Sequence, residues 1–123
     1  MPAKQEVSSF IRATFRSVWA LELLCFLKKH RDRAWPQREL VVALRGSDLV
    51  VSQSVDSLLA AGLVVIEPGQ LVRYQPTSDA VEKLAGAAES LYATRPDAVR
   101  RMIVAPAASG LSSFADAFKL WRD

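Results

Sequence analysis

Residues 52 to 65 read Ser-Gln-Ser-Val-Asp-Ser-Leu-Leu-Ala-Ala-Gly-Leu-Val-Val, a short helix that stops on a glycine and turns at once into a strand. Val51, Val55, Leu58 and Leu59 share one helical face, Gly62 can supply the left-handed residue that closes the helix, and Leu63 to Ile66 is a β-rich apolar run. The strands Leu63 to Glu67 and Leu71 to Gln75 flank Pro68-Gly69, where proline and glycine suit a type I or II turn. An L-proline turn does not match the twist of a tight two-residue hairpin, so the loop is expected to exceed those two residues. Pro76 should stop the second strand from continuing as a central one.

Upstream, Ser9 to His30 is apolar at helical spacing. Thr14 or Ser17 can cap a break within it, so one long helix and two shorter ones both remain open. Glu22, an acid among apolar neighbours, must reach solvent or find a donor, and Arg45 or Arg73 is a candidate. Trp35-Pro36 marks the start of a second helix, with Leu40, Val41 and Leu44 facing inward and Gly46 ending it. Ser47 or Asp48 then caps the third. The expected core is Leu24, Leu27, Leu40, Leu44, Val55, Leu58, Leu63 and Ile66.

Beyond the hairpin, Thr77, Ser78 or Asp79 caps a fourth helix, with Asp79 and Glu82 at capping-box spacing. Thr94-Arg95-Pro96 breaks it, and Val99, Met102 and Ile103 follow at helical spacing. Residues 105 to 110, Ala-Pro-Ala-Ala-Ser-Gly, connect to a last amphipathic segment whose stripe is Leu111, Phe114, Phe118 and Trp121. An apolar stripe of that size calls for a cover, either the chain's own domain or another chain. The 123 residues are therefore read as one mainly α domain with a small β-hairpin, an α+β class. Its core spans about 17–92, with a C-terminal helical extension over about 96–123.

Composition narrows the function. The longest apolar run, Val18 to Leu27, is interrupted by Glu22 and cannot span a bilayer. With no secretory pattern at the amino end and a lone cysteine, Cys25, a cytoplasmic location is the expectation. His30 sits in Lys28-Lys29-His30-Arg31, which suits a solvated helix end, and Cys25 lies among leucines and Phe26 as a small buried residue. Phosphate loops, metal-spaced ligands and nucleophile elbows are absent from the sequence, so neither an enzyme nor a bound cofactor or metal is expected.

The segment from Pro36-Gln37-Arg38-Glu39-Leu40 through Val72-Arg73-Tyr74 resembles the winged helix-turn-helix core of MarR-type bacterial transcription regulators. The resemblance implies a third helix in the major groove of double-stranded DNA, a wing on the backbone and flanking helices that build a homodimer. Ser52, Gln53 and Ser54, with Ser57 beside them, would then face bases, while Arg38, Arg45 and Arg73 take phosphates near Ser47. Phe10, Phe15, Phe114, Phe118 and Trp121 would form the dimer or partner interface. A winged helix serving as a protein-binding module is the alternative.

The charge map bears on that choice. Residues 1–46 carry nine bases against four acids, residues 47–94 two against six, and residues 95–123 five against three. The expected reading head is thus acidic, and the basic surface precedes it.

Overall fold

In a computed structural model, which describes residues 2–103, the long amino-terminal apolar stretch divides at Phe15–Ser17 into α1 (Lys4–Thr14) and α2 (Val18–Lys29). Ser17 is the cap. Its backbone is extended, and its hydroxyl accepts from the Ala20 N–H at 3.4 Å. Phe15 leaves the helical conformation and buries its ring, with Phe10 packed edge-on at 5.8 Å between centroids. At the other end of α1, the Glu6 carboxylate accepts from the Ala3 N–H at 2.8 Å.

Trp35 and Pro36 depart from expectation. They form a short strand, β1 (Trp35–Pro36), and Pro36 stands as the cap before α3 (Gln37–Leu44) rather than inside its first turn. The stop of α3 also differs, because Arg45, not Gly46, takes the left-handed conformation with φ 57. The Arg45 N–H then reaches the Val42 carbonyl at 3.3 Å and the Gly46 N–H reaches Val41 at 3.2 Å, the paired closure that needs a left-handed residue directly after Leu44. A Cβ at Gly46 would make ordinary contact with the Trp19 ring, at 3.5 Å, so neither closeness nor backbone conformation demands glycine there.

α4 (Asp48–Ala60) is capped by Ser47, whose hydroxyl accepts from the Val50 N–H at 3.1 Å. Gly62, with φ 74, closes it as its sequence suggested: the Gly62 N–H bonds Leu59 and the Leu63 N–H bonds Leu58. The chain passes into β2 (Val64–Glu67) and returns as β3 (Leu71–Tyr74). Glu67 pairs with Leu71, which leaves a three-residue loop in which Gly69 and Gln70 both have positive φ. β1 adds to the far side of β3, so the antiparallel order is β1-β3-β2 and β3 is central after all. That strand ends at Tyr74, so Pro76 costs it no ladder bond.

α5 (Asp79–Thr94) is capped by Ser78, which accepts from the Val81 N–H at 3.2 Å. The Asp79–Glu82 capping box is not formed, because the cap falls one residue earlier and Glu82 is held by Arg31 at 2.8 Å. A final helical stretch over 96–103, α6, buries Val99 and Ile103. The described residues thus form a mainly helical α+β structure of six helices and a three-stranded sheet.

Leu24, Leu27, Leu40, Val55, Leu58 and Leu63 meet in one buried cluster, as their spacing predicts. Leu44 is only partly buried against it, and Ile66 is 39% exposed. Ile66 lies on β2, an edge strand with a neighbour on one side only. Glu22 finds neither arginine; the Tyr92 hydroxyl of α5 donates to its carboxylate at 2.5 Å.

Candidate functional site

α4 packs chiefly on α2 and α3, and that contact decides which of its residues look outward. Val51, Ser54, Val55 and Leu58 face in, at i, i+3, i+4 and i+7. Ser54 is therefore withdrawn from the face expected to read bases: it is 2% exposed and its hydroxyl donates to the Val50 carbonyl at 2.8 Å. Its spacing from Val51 carried that signal. Gln53 and Asp56 are exposed, Ser52 and Ser57 are half-buried, and Leu49 stands 66% exposed at the start of the helix. Ser47 is committed to its cap.

The arginines divide into two groups. Arg73, expected on a phosphate, bonds Glu67 across the hairpin at 2.6 Å and donates to the Arg31 carbonyl. Arg31 holds Glu82 with two nitrogens and lies over the Tyr74 ring at 4.8 Å; the bond to Glu82 is the main reason its pKa rises above the usual guanidinium value. Arg33 bonds Glu39 at 2.9 Å and stacks on Trp35, while Lys28 meets Glu89 at 3.1 Å. These cations are neutralised where they stand. Arg38, Arg45 and Arg16 are exposed and form no ion pair among the described residues.

Arg16 was not singled out by the sequence. It lines a hollow of about 430 Å³ together with Gln53, Asp56 and Ser57 of α4. Only the packing of α2 against α4 brings it there, so no local pattern could have marked it. α4 itself holds Asp48 and Asp56 and no base. Asp48 in the first turn complements the helix dipole.

Of the expected interface residues, Phe15 is 2% exposed and gives its surface to its own chain's core, and Phe10 is half-buried against it. That use in cis corrects the expectation that Phe15 faces another chain. Phe114, Phe118 and Trp121 lie outside the described residues. His30 closes α2 with its ring beside Phe26 and Trp35, at 4.6 and 5.7 Å, in an aromatic cluster rather than a solvated end. Burial, aided by Glu89 and Glu22, pushes the Cys25 thiol from 9.0 to about 12. A thiol so far from its thiolate form is a poor nucleophile.

A groove of about 800 Å³ runs between α1 and α5, with Val7, Ala87 and Leu91 on its floor and Lys4 and Lys83 at its rim. Among the described residues, no group of three or more side chains is placed to hold a metal, and no helix is long and apolar enough to cross a membrane. Comparison with known proteins places the chain in no group: no family model, no curated protein and no solved structure matches it.

Proposed function

We propose that the protein is a DNA-binding transcription regulator of the winged-helix type, with α4 as the element that enters the major groove. One observation carries this reading: the exposed Arg16 lines one hollow with Gln53, Asp56 and Ser57 of α4, the exposed Arg45 lies three residues before that helix in the chain, and neither has a carboxylate partner among the described residues. The order α2, β1, α3, α4, β2, β3 with the sheet β1-β3-β2 supports it, since it resembles the winged helix-turn-helix arrangement.

In this arrangement Gln53 donates and accepts at a base edge, Leu49 meets a thymine methyl, and Arg16, Arg38 and Arg45 neutralise phosphates. Three such contacts give a modest salt dependence, a slope of about −2.7 in log affinity against log salt. Binding of fragmented genomic DNA, followed by fluorescence anisotropy between about 50 and 200 mM salt, tests the proposal. Salt-sensitive affinity supports it, and no affinity at the lower salt sinks it.

A second reading, a winged helix that binds a protein, draws on a different observation. Val42 is 76% and Leu49 66% exposed, and the hairpin's arginine is spent on Glu67. Large apolar side chains left exposed suit a protein partner better than a phosphate backbone.

A further inference from the structure

α4 carries two carboxylates, and only one of them serves the helix. Asp48 stands in the first turn and complements the helix dipole, whereas Asp56 lies about two turns further on, beyond the reach of that dipole. Asp56 is exposed and forms no ion pair among the described residues, although Arg16 lines the same hollow of about 430 Å³. Aspartate is also among the weaker helix formers, so neither capping nor propensity calls for it in the interior of α4. It follows Gln53 by three residues, which puts the two on one side of the helix, opposite the buried Val51, Val55 and Leu58.

We propose that Asp56 sets a sequence preference, by accepting a hydrogen bond from the amino group of a cytosine in the major groove. This rests on the reading of α4 as the element that enters that groove. A carboxylate offers acceptors only. In the major groove guanine presents two acceptors, thymine an acceptor beside its methyl, and adenine a donor beside an acceptor; cytosine alone presents a donor without an acceptor. Asp56 therefore gains a bond at cytosine and meets repulsion at guanine or thymine. A carboxylate carried towards phosphates weakens binding to DNA in general, so Asp56 contributes discrimination and not affinity.

Spacing fixes where that cytosine falls. Three residues of helix rise by about 4.5 Å and successive bases of one strand by about 3.4 Å, so Gln53 and Asp56 address neighbouring base pairs. Glutamine matches adenine through paired bonds, so the expected site holds an A·T pair next to a C·G pair. Arg16, which shares the hollow with both side chains, offsets part of the repulsion between Asp56 and the backbone.

Selection from a pool of random duplexes, followed by sequencing, tests it with the parent chain, Asp56→Ala, Asp56→Asn and Gln53→Ala. Circular dichroism checks that each variant is folded. The expected parent site has a C·G pair at one position, and exchanging it for T·A costs about tenfold in affinity, read by anisotropy at about 100 mM salt. Asp56→Ala should lose that preference while binding random duplex as tightly as the parent or more tightly. Asp56→Asn should shift it to A·T, since asparagine pairs with adenine, and leave neighbouring positions unchanged. Gln53→Ala should relax only the position beside it. If the parent binds DNA with salt-sensitive affinity and Asp56→Ala selects the same site, or loses affinity for all sequences alike, the proposal is overturned and the DNA reading stands. If the parent binds no duplex even at about 50 mM salt, the DNA reading itself falls, and this proposal falls with it.

Discussion

Arg73 on β3 grips Glu67 on β2, Nε to Oε2 at 2.6 Å, so the one arginine of the hairpin is paired before any partner arrives. If the hairpin touches a DNA backbone, Glu67→Gln should release that charge. The expected outcome is tighter binding at low salt and a slope steeper by about one, measured by anisotropy across a salt series. Arg73→Ala should cost much less DNA affinity than Arg45→Ala, whose guanidinium has no such partner. Equal losses would mean that the pair opens on binding.

Leu58 is fully buried between α4 and the rest of the core, whereas Ile66 keeps 39% of its surface. Leu58→Ala should therefore destabilise by about 2 to 5 kcal/mol, and Ile66→Ala by about 1 kcal/mol or less. Urea unfolding of the two variants beside the parent checks the contrast.

Two helix ends use left-handed residues, and only one of them is glycine. Arg45 has φ 57, so Arg45→Gly should stabilise by up to about 1 kcal/mol by removing the Cβ penalty. At Gly62, with φ 74, a Cβ would meet the Thr77 hydroxyl at 2.9 Å, so Gly62→Ala should destabilise by about 1 to 3 kcal/mol. Thermal melts of both should move in opposite directions.

Alkaline pH should weaken the fold. Burial raises the Cys25 thiol from 9.0 to about 12, and burial likewise raises the Tyr74 phenol from 10.0 to about 12. Both groups hold their protons more tightly folded than unfolded, so the stability they contribute is fully present below about pH 9 and is lost as pH rises towards 12. Unfolding followed from neutral pH upwards should show the decline starting near pH 9. Cys25→Ala should delay its onset, and Tyr74→Phe should flatten its upper part.

The Tyr74 hydroxyl is buried with no hydrogen-bond partner among the described residues. Removing an unpaired buried polar group is close to neutral or favourable. Tyr74→Phe at neutral pH should thus leave the melting temperature unchanged or raise it, and a marked fall would reveal a partner for that hydroxyl.

The amino-acid sequence by itself determined the elements whose causes are local. Gly62 closes α4 because a left-handed residue was needed between Ala61 and Leu63, Ser17, Ser47 and Ser78 cap because their hydroxyls meet the amide three residues on, and the leucines of α2 and α4 find the core through their spacing. Tertiary structure decided what depends on distant neighbours. Trp35-Pro36 is a strand only because β3 lies beside it, the charge of Arg73 is paired only because the hairpin brings Glu67 diagonally within its reach, and Glu22 is satisfied by Tyr92, seventy residues away, rather than by an arginine. Arg16 likewise joins the face of α4 only through the packing of α2 on α4. Propensity, capping and periodicity act within a turn or two of the chain, whereas the partner of a charge or of a strand edge is set by which elements the core brings together.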